Sequence, residues 1–379
     1  MMPQQPLNIF RTLRKQIVAS AILSSLALLL PFCAQTSWAE GSSPAPTPKW
    51  SFIDTSGKIA IDGQFDQALS FSEDLSAVQV NDKWGFIDSK GAMVIKPQFE
   101  EATSFSEGLA AVEMPSIDSN RESLPADIAN KWGFINKSGD FVIKPQFTDV
   151  YPFSDGLAPI QLSNRMWSYI DHSGNRSIQQ AFAIACPFSD GLAAVLERAP
   201  LIFSHDRDSF SAPGRQWFYI DKSGAKVLAP GFSEHIPFSE GLAGVAMGQW
   251  QSYAGANKWS FMNKSGKLIL KPQFSRVHKF SEGLAAVQTG HWQSLGQGMR
   301  SWLMGDWGYL NQSGKLVIAA QYQDADPFSQ GLASVLVNGK WGYIDKSGKM
   351  VIQPLYDGSG LFSNGLAPVM VPVDKQPVP

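Results

Sequence analysis

Disulfide bonds cannot hold this chain together. Among 379 residues there are two cysteines, Cys33 and Cys186. Only Cys186 lies beyond an N-terminal segment that reads as a cleavable leader, so stability must come from packing. Cys186 itself reads as a small core residue rather than a reactive thiol. A dominant charge is missing too. The 31 Lys and Arg against 33 Asp and Glu leave a formal charge of −2, which points to neither nucleic acid nor an anionic membrane surface. Histidine is scarce, with His172, His205, His235, His278 and His291. None has a metal-ligand spacing such as His-x-x-x-His, and none is tied by sequence to a Ser or Cys nucleophile. His172 stands where Lys222 or Lys346 stands elsewhere, which makes it a surface turn residue. His205 to Asp208 lacks the ligand spacing and glycine of a calcium loop. The recurring Lys-Ser-Gly phrases have no helix after them, so they are not phosphate loops. We therefore expect no cofactor, no metal and no catalytic residue. Long amphipathic helical patterns are absent as well.

Long apolar runs are rare; the one at the N-terminus is Ile17 to Phe32, 16 residues, short for a membrane span. Arg11, Arg14 and Lys15 precede it, and Ser37-Trp38-Ala39 follows. This predicts a signal peptide over 1–39 cleaved after Ala39, and an exported chain of periplasmic or extracellular location with no membrane span left. Left uncleaved, it would be an N-terminal anchor. Pro31-Phe32 are too bulky for a lipid anchor at Cys33. Cleavage would take the formal charge to −5. Residues 40–49 form a Pro/Ser-rich linker, and 372–379 a C-terminal tail.

What is there in abundance is repetition. The phrase Lys340-Trp341-Gly342-Tyr343-Ile344-Asp345-Lys346-Ser347-Gly348 and its partner Phe362-Ser363-Asn364-Gly365-Leu366-Ala367 have eight versions each. The Trp falls at 50, 84, 132, 167, 217, 259, 307 and 341, and the Phe always 21 residues later. A fixed internal period marks a repeat architecture. After each Trp, Asp or Asn comes at the fourth place and Gly at the seventh, as at Asp88 and Gly91. The first can bond the backbone two residues on and the second supplies positive φ, so the pair predicts a hairpin turn. A returning strand such as Met93 to Lys96 follows, then an aromatic, Phe99 in that copy. Gly-Leu-Ala-x-Val reads as a third strand. Asn338-Gly339 turns straight into the next Trp strand.

These phrases resemble the WG-repeat (KWG-repeat) family of bacterial tandem repeats, built on Lys-Trp-Gly-Phe-Ile-Asp…Ser-Gly. The resemblance spans Trp50 to about Val371. Some copies depart from it: Trp50, Trp167 and Trp259 are followed by Ser, Trp217 by Phe, Asp74 replaces the second Gly, and Gln180 replaces a Pro. The resemblance implies a β-repeat scaffold and carries no substrate, cofactor or catalytic residue.

The expected fold is all-β, eight tandem three-stranded antiparallel meanders over 50–371. They would close as a propeller-like ring or stack as an open β-solenoid. A spare Gly-Leu-Ala strand at the end and a missing one at the start favour the ring, which leaves no edge. The eight Trp read as core pillars.

Length varies in one place only. The Phe-to-next-Trp spacing runs 13, 27, 14, 29, 21, 27, 13, so insertions at about 113–131, 196–216, 246–258 and 288–306 emerge on one face. Such faces often bind. Gly248-Gln249-Trp250-Gln251-Ser252 and Gly290-His291-Trp292-Gln293-Ser294 share a phrase, and Trp302 follows. Trp250, Trp292 and Trp302, with Gln251 and Gln293, suit stacking on sugar rings or apolar side chains; packing onto the neighbouring unit is the alternative. The function expected is an exported, non-catalytic scaffold that binds a protein, peptide or envelope polysaccharide through these insertions. The alternative is a cell-envelope hydrolase or lyase with a site built from the loops, for which Glu197, Asp206 and Asp208 share one insertion.

Overall fold

The computed structural model describes residues 48–115, 131–197, 217–229, 231–232, 234–247, 258–290, 292–296, 299–302 and 305–372. Of 292–302 the backbone alone is described. Eight small antiparallel sheets form a closed ring, an eight-bladed β-propeller. Blade II shows the pattern, with strands Gln67–Ala68, Ser76–Val80, Lys83–Ile87 and Met93–Phe99 hydrogen-bonded in chain order. The expected three-strand meander is therefore joined by a fourth strand of two residues. Blades III to VIII repeat the pattern. In blade IV the short strand shrinks to a bridge between Val150 and Ile160, and in blade VI the last strand to bridges such as Trp259 with Phe274.

Blade I takes its strands from both ends of the chain. Gly358–Ser359 and Leu366–Met370 supply the first two, Trp50–Asp54 and Ile59–Phe65 the others. Trp50 to Asp54 pairs antiparallel with Met370 to Leu366 over five residue pairs. The strand that is spare at one end fills the gap at the other. Closure leaves no blade face unmatched.

The repeat frame has a local reason at each position. In the turn after the Trp strand, Asp345 Oδ1 accepts the backbone N–H of Ser347 at 2.9 Å and of Lys349 at 3.1 Å, and Gly348 has φ +85°. The glycine after Trp answers a close approach. A Cβ on Gly85 would lie 2.5 Å from the carbonyl oxygen of Ile95, and one on Gly342 would lie 2.6 Å from that of Ile352. At two of the positions where serine stands instead, its hydroxyl bonds this carbonyl: Ser168 Oγ to Ile178 O at 2.6 Å, Ser260 Oγ to Leu270 O at 2.7 Å.

The core runs between blades. Trp84, Phe86, Ile95 and Phe99 of blade II form one cluster with Ala102, Phe105, Ala110, Val112 and Ile135 of blade III. Seven of the eight frame Trp are buried, and Trp217 is half-buried. The aromatic two places after each Trp meets the Phe of the next blade's Phe-Ser phrase. Ring centroids are 4.7–5.1 Å apart at all eight junctions, from Phe52–Phe71 to Tyr343–Phe362. The Trp-to-Phe segment thus spans one junction and is held at both ends. Its length cannot vary. The second-to-third strand link lies outside that clamp, so it can.

Candidate functional site

Strand direction sorts the connections onto two faces. Phe-Ser-x-Gly-Leu turns and the Asx-Gly turns share one face; links from second to third strand, and from blade to blade, share the other.

The first face is uniform. Ser72 Oγ donates to the carbonyl of Phe105 at 2.6 Å, and Ser106 Oγ to that of Phe153 at 2.8 Å. The residue after the serine of each such turn has φ of 52–55° and offers its side chain to the next blade. Gly108 N–H donates to Glu73, Gly156 to Glu107, Gly191 to Asp155, Gly241 to Asp190, Gly283 to Glu240, Gly331 to Glu282 and Gly365 to Gln330. Asn364 Nδ2 donates to Asp74 at 3.1 Å, closing the circle where the glycine is missing. Such an unbroken relay between equivalent turns places them, and the short strands beside them, around the axis. Lys137 pairs with Glu73, His172 with Glu107 and Lys346 with Glu282, at 3.6, 3.1 and 2.9 Å. His172 is thus a turn residue, as its position predicts, but half-buried, with its ring stacked on Phe153 at 4.2 Å. The acids of this rim are occupied in holding blades together.

The second face varies. Blades II and VIII carry two-residue turns, Asn81-Asp82 and Asn338-Gly339, all four residues at positive φ. Blade IV crosses at 162–166. Insertions belong to blades III, V, VI and VII, three of them consecutive. Between Met247 and Lys258 lie Trp250 and Gln251, which fall outside the described residues, as do Asp206 and Asp208 of blade V. In blade VII the insertion is a hairpin, Trp292–Gly296 against Met299–Trp302. Trp292 is the cross-strand partner of Trp302, and Gln293 that of Ser301. The hairpin's neck is tied by Gln288 Nε2 donating to Gly305 O at 2.9 Å and by Thr289 N–H donating to Asp306 O.

Between the faces, the third residue of each short-strand segment stands on the inner wall near the axis. Most blades carry an apolar or neutral residue there, such as Leu69, Tyr151 or Ile236; blade V has Cys186, blade VII His278 and blade VIII Asp326. Burial pushes the Cys186 thiol up to about 12 and the His278 imidazole down to about 4. Asp326 is only partly screened from solvent by area, yet protein surrounds it and lifts its carboxyl to about 7, opposed by a 2.6 Å bond from Ser334 Oγ. Asp324, on the same face of that strand, is raised to about 6 by burial. This polar set was not expected. Aligning the residue before each Pro-Phe or equivalent across the eight copies exposes it at Asp326 and His278. The two aspartates share one strand and one side of a junction, rather than converging from separate loops. Among the described residues, no group of three or more His, Cys, Asp or Glu is placed to hold a metal ion, and no helix is long and apolar enough to cross a membrane.

A profile described as "WG containing repeat" matches residues 50–84, 84–114, 132–165, 217–249, 259–290, 307–341 and 341–371. It passes over the copy at Trp167, which the structure restores: Trp167, Tyr169, Ile178 and Phe182 occupy the frame positions of blade IV. No curated protein matches the sequence. Solved structures with a related outline include "the eukaryotic initiation factor" (11% identity, TM-score 0.46, 80% of this chain and 95% of that one). The Dos1 propeller is another (10%, 0.43, 85% and 95%). A third is BamB from Moraxella catarrhalis (10%, 0.40, 83% and 86%). None of their activities or partners carries over to this chain.

Proposed function

This chain belongs to the WG-repeat family, and on that premise we propose that it is an exported, non-catalytic scaffold binding a partner through its variable face. The partner class is a protein, a peptide or an envelope polysaccharide. The observation that carries this reading is the confinement of all length variation to one face, with three insertions on the consecutive blades V, VI and VII. The opposite rim is uniform and self-satisfied, so it has little left to offer a ligand. Trp292 and Trp302 are cross-strand partners in the blade VII hairpin, and paired aromatics suit flat apolar surfaces such as sugar rings or Tyr and Pro side chains. Gln293 and the companion phrase at Trp250 and Gln251 add amide donors and acceptors. The leader expected over 1–39 supports export.

The test is a pull-down from envelope extract and a glycan array, run with the intact chain and two variants. One variant replaces 291–304 with Asn-Gly, the turn of blade VIII; the other carries Trp250→Ala with Trp292→Ala. The expected result is a retained partner with the intact chain and its loss with both variants at unchanged melting temperature. Variants that unfold would assign the tryptophans to packing. Turnover of cell-wall material, abolished by one acidic substitution, would replace the scaffold reading with the hydrolase or lyase.

A further inference from the structure

Each blade junction brings three positions together near the axis. They are the third residue of the short-strand segment, the aromatic two places after Trp on the same blade, and the second residue of the next blade's short strand. At some junctions all three are apolar: Leu69, Phe86 and Ala102 share one cluster, and Ile236, Phe261 and Val277 another. Two junctions carry a heteroatom at all three, Asp326, Tyr343 and Ser359 between blades VIII and I, and Cys186, Tyr219 and His235 between blades V and VI, and the second alone brings sulfur and imidazole together. Cys186 Sγ lies 3.5 Å from His235 Nε2.

The tyrosine breaks the repeat's own rule. Tyr169, Tyr309 and Tyr343 each donate their hydroxyl to the next short strand, at the carbonyls of Cys186, Asp326 and Gly360 (2.7, 2.8 and 3.0 Å). Tyr219, only 1% exposed, donates to nothing, and its buried hydroxyl has no hydrogen-bond partner; neither has His235 Nδ1. Trp217 and Phe232 enclose the imidazole at centroid distances of 4.4 and 5.9 Å. Buried polar groups without partners are costly, so an occupant that satisfies them is called for. Burial also holds the imidazole near 4 and the thiol near 12. The pair is therefore neutral, unlike the thiolate–imidazolium pair of a cysteine nucleophile.

We propose that the junction of blades V and VI binds one thiophilic d10 cation, Zn(II) or Cu(I), through Cys186 Sγ and a ring nitrogen of His235. The Tyr219 hydroxyl, or a water it holds, takes a further position. Metal–sulfur and metal–nitrogen bonds of about 2.3 and 2.0–2.1 Å at a tetrahedral angle separate the two atoms by about 3.5 Å, the distance found here. Sulfur and imidazole ligands select these ions over Mg(II) or Ca(II). The thiol gives its proton to solvent as the metal–sulfur bond forms, with no change of oxidation state. Cys186 is half-buried.

The test titrates Zn(II), and separately Cu(I) under reducing conditions, into the full chain without an affinity tag, against a competing chelator. Cys186→Leu and His235→Val serve as comparisons, because Leu69 and Val277 fill these positions in other blades; Cys33 stays in every version. We expect one equivalent per chain, a proton released on binding, and at least 100-fold weaker binding in each variant. The inference is overturned if the intact chain binds no more of either ion than a folded double variant, which would leave a thiol–imidazole hydrogen bond and a buried water. Should the variants not fold, Co(II) added to the intact chain decides. Thiolate-to-metal charge-transfer absorption supports the site, and its absence overturns it.

Discussion

A glycine beside a tryptophan gives this repeat its text, and the reason is steric. At Gly342 the next strand bulges inward until the Ile352 carbonyl would sit 2.6 Å from a Cβ. Gly342→Ala must push that backbone away, at a cost of about 1–3 kcal/mol, measured by chemical denaturation. Ser168→Gly should cost about 1 kcal/mol by a different route, through loss of the hydroxyl bond to Ile178 O. Asp326 gives a pH prediction of opposite flavour. Its folded carboxyl titrates near 7 against an ordinary value of 3.8, so the folded state holds the proton more tightly than the unfolded one. The stabilisation is complete below about pH 4 and is lost as pH rises through 7. Asp326→Asn should therefore match the parent at pH 4 and exceed it by on the order of a few kcal/mol at pH 8. Melting curves at both pH values check this; equal gains at both would show that the carboxyl is not enclosed. Asx-Gly turns were legible in the sequence because their chemistry is local. Aligned copies expose the polar residues Asp326 and His278, but not their burial, because that setting is made by neighbouring blades, close in space but remote along the chain.

Strands explain why one spacing is frozen and another free. The 21 residues from Trp to Phe reach from the third strand of one blade to the turn of the next, and both ends are locked by the aromatic contact at each junction. Stacking itself was legible, because the large apolar anchors of each copy have no partner within so short a unit. The two-residue strand did not announce itself, since Glu101–Ala102 or Asp324–Ala325 is too short to show a period. The repeat as written also straddles two blades, so a sequence unit and a structural unit are out of phase by half. Between blades, Glu107 accepts the Gly156 N–H at 3.0 Å and pairs with His172 at 3.1 Å. Glu107→Ala should cost about 0.5–1.5 kcal/mol, while Glu107→Gln, which keeps the acceptor, should cost less than half of that. Equal losses in thermal melts would mean that the relay around the axis contributes through charge alone.

At the scale of the molecule, two faces exist because the ring closes. The first and last strands of the array meet in blade I, where Asp54 pairs with Leu366 and Tyr356 Oη donates to Gly57 O from the adjoining blade. The unequal ends pointed to this closure in the sequence, yet an open stack satisfied the same periodicity; only pairing of residues more than 300 positions apart separates the two. Closure gathers the insertions of blades V, VI and VII into one arc and leaves the acid-bearing rim on the far side. The proposed partner binding and the proposed metal site between blades V and VI both presuppose that arrangement. The most direct check is a spin–spin distance between labels at Thr55 and Asn364, exposed turn residues at opposite ends of the array, with both native cysteines replaced. A closed propeller predicts less than about 20 Å, given neighbouring strands about 5 Å apart and labels of a few ångströms. An open array of sheets packed about 10 Å apart would put the labels ~70 Å from one another, and that result would contradict the ring.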